Sequence, residues 1–88
     1  MSGGAFDYAY FNVEQFADEL EFKIKNRHIE NVYGELPYQF SDEVIEKLLK
    51  IIPITRKTSK LMKEVEWLYS GDNGEDSFLR NINRISID

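Results

Sequence analysis

An all-α domain is what this sequence predicts, and three observations carry that reading. Apolar residues recur at helical spacing in each long segment, Ser41 stands as a helix cap ahead of the longest one, and Gly71 falls where that pattern ends. The expected body is a small three- or four-helix domain with helices near 12–28, 41–52, 54–70 and 75–86, in one unit over 1–88. An extended aromatic arm over residues 1–11 precedes it.

The arm is read from Phe6, Tyr8 and Tyr10, which alternate at strand period with Phe11 next to them. One short strand with nothing to pair with is better placed as a strap over a helical body or as an edge between subunits. Asn12 with Gln15 three residues on has capping-box spacing, and Val13, Phe16, Ala17, Leu20 and Ile24 then form one apolar stripe. Phe22 falls off that stripe and calls for a second contact, which the arm would supply. Gly34 and Pro37 punctuate a loop over 29–40, pinned by Ile29, Val32, Tyr33, Leu36, Tyr38 and Phe40.

After Ser41, Asp42 and Glu43 sit in a first turn that favours negative charge. Val44, Ile45, Leu48, Leu49 and Ile52 give the next buried face. Pro53 lacks a backbone donor, so it either kinks one helix or separates two. Thr58, Leu61, Met62, Val65 and Leu68 resume the pattern. The corner that follows, built from Trp67, Gly71, Asp72, Gly74, Glu75 and Asp76, reads as a structural joint. Gly71 closes one helix, Asp72 or Asn73 caps the next, and Trp67 fixes the corner to the core.

Composition bounds the function. With 88 residues and no cysteine, the core rests on packing alone, without disulfides or thiolate metal sites. Aromatic residues make up 14% of the chain, more than one small core readily encloses, which points to an interface at Phe6, Tyr8, Tyr10 and Phe11. No apolar run is long enough to span a bilayer, and neither a signal-peptide pattern nor a myristoylation glycine at position 2 is present. A cytoplasmic protein without membrane contact is the expectation.

The net charge of −5 is unevenly spread: residues 1–46 sum to −7, residues 47–63 to +6 and residues 64–88 to −4. Within the basic block, Arg56, Lys60 and Lys63 share a helix face with Lys57 beside it, a stripe suited to the phosphates of a nucleotide or nucleic acid. An opposite reading has Glu14, Asp18 and Glu21 on the outer side of the first helix, imitating a phosphate track. The carboxylates at 72–76 lack EF-hand spacing, and capping accounts for them more simply. His28 is the only imidazole and has no cysteine partner. No catalytic, cofactor-binding or metal-ligating residues are assigned, and no cofactor is called for.

The segments Met1-Ser2-Gly3-Gly4-Ala5-Phe6-Asp7-Tyr8 and Trp67-Leu68-Tyr69-Ser70-Gly71-Asp72-Asn73-Gly74-Glu75-Asp76-Ser77-Phe78 together resemble the two ends of a family of small, largely uncharacterised phage and prophage proteins. That family opens with an MSGGxFxY-like segment and closes with a WLxSGDxGExSF-like one. Basic residues that often follow the family's final Phe are replaced here by Leu79-Arg80-Asn81, and Pro53 is unusual for its middle helix. The resemblance implies a mobile-element setting and an accessory role. Together with the composition it leads to a non-enzymatic binding protein, engaging a host protein or its own subunit in the host cytoplasm. The alternative is a binder of phosphate-bearing ligands through the stripe at residues 47–63.

Overall fold

Among the described residues, three helices follow one another: α1 (Ala9–Lys25), α2 (Asp42–Tyr69) and α3 (Glu75–Ile85). The computed structural model describes residues 4–28 and 39–85, and no strand occurs among them. The loop signals at Ile29, Val32, Tyr33, Gly34, Leu36, Pro37 and Tyr38 lie outside the described residues, as do Met1, Ser2 and Gly3. The all-α expectation holds, and the three-helix form of it is the one the chain adopts.

The axis of the fold is α2. Its first turn is built as the sequence indicates: Ser41 Oγ accepts from the Val44 amide, and Asp42 and Glu43 stand at the positive end of the helix dipole. Pro53 does not divide it. The helix runs unbroken for 28 residues because Pro53 is exposed, so the carbonyl left without an amide donor is near water. Thr55 and Thr58 on either side of the next turn donate their hydroxyls to the Ile51 and Ile54 carbonyls, a pattern that eases a helix through a bend.

Helix α1 lies antiparallel along one edge of α2, and α3 lies along another. At 100° per residue, Ile52, Ser59 and Glu66 recur every seventh residue on the α1 edge, and all three are buried. Tyr10, Ala17 and Ile24, with the same spacing, are the buried residues of α1. Ser59 Oγ donates to the Tyr10 carbonyl at 3.0 Å and ties the two rows together. On the α3 edge, Glu64 accepts from Asn81 at 2.9 Å and from Asn73 at 3.4 Å. Helices α1 and α3 do not touch each other, so the three stand in a row. The result is a slab of 53 × 29 × 13 Å.

The start of α1 departs from expectation. The helix begins at Ala9, three residues before the Asn12 cap, and the preceding segment is a tight turn instead of an extended arm. Asp7 and Tyr8 both take left-handed backbone angles, with φ of 54° and 56°. Such angles cost L-residues roughly 1–2 kcal/mol each, so something must hold them. The holder is Glu66: its Oε2 accepts from the amides of Phe6 and Tyr8, both at 3.0 Å. Backbone amides curled around an anion are a recognised arrangement. Here a carboxylate from the far end of the chain supplies the anion just ahead of α1, where no side chain caps the helix.

Glu66 is the largest fully buried side chain, 1% exposed, and the strained turn depends on it. Glu66→Ala is therefore expected to lower unfolding stability by about 2–4 kcal/mol, measured in urea. Glu66→Gln retains one carbonyl oxygen able to accept both amides and should lose distinctly less. Equal losses for the two variants would mean that the charge, and not the acceptor geometry, is what the turn requires.

Candidate functional site

The N-terminal turn and the end of α2 meet in space at the top of the slab. Ser70 Oγ accepts from the Ala5 amide, Glu66 takes Phe6 and Tyr8, and the Phe6 ring stands edge-on to Tyr69 at 5.4 Å. Of the four aromatic residues expected at an interface, Phe6, Tyr8 and Phe11 are exposed while Tyr10 is buried between α1 and α2. Tyr8 and Tyr10 stand edge-on to each other, and Tyr10 stacks with Phe11 at 5.5 Å. Three of these residues thus keep an exposed surface, and one is buried in the fold.

The basic stripe is divided by the packing. Arg56 Nη1 donates to Asp18 at 2.7 Å and Nη2 to Glu21 at 3.1 Å, which neutralises it and joins α1 to α2. The hydrogen bond it donates to Asp18 is the main reason the guanidinium pKa is raised still further. Lys63 lies over the Trp67 ring at 4.9 Å and the Tyr10 ring at 5.7 Å, a cation–π arrangement. Lys60 is exposed and Lys57 is partly so. Only part of the proposed phosphate surface therefore faces solvent without an anionic neighbour. Asp18 and Glu21 likewise turn toward α2, so no continuous acidic track runs along the outside of α1.

The corner works mainly through its backbone. Gly71 takes φ of 82°, and the amides of Asp72 and Asn73 both reach the Trp67 carbonyl. Helix α3 starts from Gly74, whose carbonyl accepts from Phe78, so neither Asp72 nor Asn73 is its cap. The Asn73 side chain is drawn to buried Glu64 instead. Glu75 and Asp76 occupy the first turn of α3 as expected. Trp67 is only partly buried and covered by Lys63. Among the described residues no group of three or more His, Cys, Asp or Glu side chains comes together to hold a metal ion. His28 is exposed.

What the sequence reading missed is the sidedness of the slab. Between the two occupied edges, α2 presents two strips. One carries Pro53, Lys60 and Trp67, next to Arg56 and its carboxylates. The other carries Val44, Ile51, Thr58, Met62 and Tyr69. Alongside this second strip lie Phe6 and Phe16 of the α1 side and Leu79 of α3. One groove is lined by Phe6, Tyr10, Thr58, Met62 and Val65, and another by Leu68, Tyr69, Phe78 and Leu79. Ile51 is 41% exposed, Phe16 57%, Leu79 56% and Tyr69 71%. Phe11, Phe22 and Leu49 are exposed elsewhere, and Phe22 makes no packing with the N-terminal segment, which sits at the other end of α1.

Compared with protein-family models, curated proteins and solved structures, the chain matches none. No helix among the described residues is long and apolar enough to cross a membrane.

The buried Tyr10 gives a test of the packing at this site. Desolvation, and after it the Glu66 carboxylate, raises its pKa above the ordinary 10.0. A phenol whose folded pKa exceeds its unfolded one contributes stability that is complete below the unfolded value and is lost as pH rises through the folded one. Stability should thus fall from about pH 10 upward. Tyr10→Phe should remove that part of the alkaline loss in a urea series taken across this range. An unchanged alkaline slope would place the titration elsewhere.

Proposed function

We propose that this chain is a non-enzymatic binding protein, an accessory factor of a mobile element that works by covering an apolar protein surface with its own. The observation that carries the reading is the unshared apolar face on one side of a single row of helices. Contiguous exposed apolar surface on this scale marks protein contact sites, and helices that are apolar on one side are ordinarily buried in a second layer. The polar groups with the most enclosed settings support the same view. Glu64, Glu66 and Ser59 each hold one helix or turn to another, so their hydrogen-bonding capacity is engaged in structure. The mobile-element setting is supported by the resemblance at residues 1–8 and 67–78.

The engagement of Arg56 and Lys63 within the fold makes phosphate binding the weaker alternative. The two readings separate by salt and by substitution. The chain, used as bait in host extract and in solution with itself, should form complexes that persist between about 50 and 200 mM salt and survive nuclease. They should be lost on Ile51→Glu with Met62→Glu and kept on Lys57→Glu with Lys60→Glu. Complexes lost to nuclease, salt or the lysine reversals would favour the phosphate reading instead.

A further inference from the structure

Resting on that reading, we propose that the occupant of the apolar face is a second copy of this chain, packed face to face with its α2 antiparallel, so that two rows of helices form one two-layer body.

Area is the first argument. A compact monomer of 10.4 kDa exposes about 5,400 Å² by the usual scaling with mass. This chain exposes 6853 Å², roughly 1,400 Å² more. A standard stable interface removes about 800 Å² from each partner. One copy therefore carries enough surplus surface to satisfy one interface of ordinary size. The radius of gyration, 17.3 Å, also stands well above the about 12 Å of a compact chain this long. Stacking a second row on the first brings the shape back toward that of an ordinary domain.

Charge placement selects both the partner and its direction. The middle of the face, from Ile51 through Thr55 and Thr58 to Met62, carries no charge, so two copies can meet there without burying an ion. Charges stand at the ends and differ in sign. Lys23 and Arg27 line the groove at the lower end, whereas Glu75 lines the groove at the upper end. A parallel copy would set like charges over like. An antiparallel copy lays the end that carries Glu75 over the end of its partner where Lys23 and Arg27 line the groove on the α1 side, and a two-fold axis repeats the arrangement at the other end.

Shape agrees with the same direction. The lower groove, about 240 Å³ between Leu20, Ile24, Ile45 and Leu48, is almost wholly apolar. Tyr69, the most exposed aromatic group of α2, projects at the upper end. Only an antiparallel copy brings Tyr69 to the partner's groove, where an aromatic anchor in an apolar pocket is the usual source of interface affinity.

The chain has no cysteine, so single introduced cysteines report the alignment cleanly. Sedimentation equilibrium of the full chain over about 1–500 µM should give twice the chain mass at the upper concentrations. Ile51→Glu with Met62→Glu should return it to the monomer. In the otherwise unaltered chain, Thr58→Cys near the middle of α2 should form an intermolecular disulfide on mild oxidation. Ile51→Cys and Met62→Cys should each crosslink poorly alone and readily when mixed, since bridged Cα atoms lie within about 7 Å. Crosslinking of each alone, without gain on mixing, would overturn the antiparallel arrangement. A monomer throughout, or a dimer indifferent to the Glu substitutions, would overturn the proposal. A monomer that still captures another protein through Ile51 and Met62 overturns this inference and leaves the binding function standing. A monomer that captures nothing removes both.

Discussion

Helix α2 carries α1 along one edge and α3 along another, and this arrangement decides what every other part of the chain can bury. Because α1 and α3 never meet, no third element among the described residues closes the space between them. The apolar core is accordingly small: Tyr10, Ala17, Ile24 and Ile52 are its only buried apolar members among the described residues. Much of what holds the row together is polar instead. Ser59 reaches the Tyr10 carbonyl, Arg56 spans two carboxylates of α1, Glu64 holds two asparagines, and Glu66 holds a strained turn. These contacts run edge to edge and leave one face uncovered.

The position of Glu66 shows how the fold couples its two ends. A buried carboxylate is costly unless it is hydrogen-bonded, and two amides 60 and 58 residues earlier in the chain both donate to its Oε2. In return, the carboxylate lets Asp7 and Tyr8 hold backbone angles they would otherwise avoid. The turn, in turn, places the Phe6 ring against Tyr69 and leaves Phe6 beside the groove of the apolar face. The same joint thus orders the N-terminal segment and completes one end of the proposed contact surface.

Local signals in this chain were legible from the sequence and long-range ones were not. Ser41, Gly71 and the Ala17–Ile24 spacing each depend on neighbours within a turn or two, and each stands where the pattern placed it. Asn12 has a good capping pattern but lies inside α1, because the turn that Glu66 holds at Phe6 and Tyr8 starts the helix earlier, at Ala9. Pro53 was ambiguous because the outcome depends on its exposure, a tertiary property. The acidic run at 72–76 indicated a helix start correctly, yet Asn73 was drawn off by Glu64. At the candidate site, exposed aromatic residues near the N-terminus were foreseen, but the continuous face from Phe16 through Ile51 and Met62 to Leu79 was not. Stripes on both edges of α2 look like one broad apolar pattern until the positions of α1 and α3 are known.

On the reading proposed above, one row of helices is incomplete and a second copy covers its apolar face. Thermal unfolding followed by circular dichroism across a wide range of protein concentration tests this most directly. If association and folding are linked, the midpoint rises with concentration, because mass action stabilises the state that binds its own kind. A midpoint that does not change from dilute to concentrated protein would show that the single row is stable by itself, and would contradict the account.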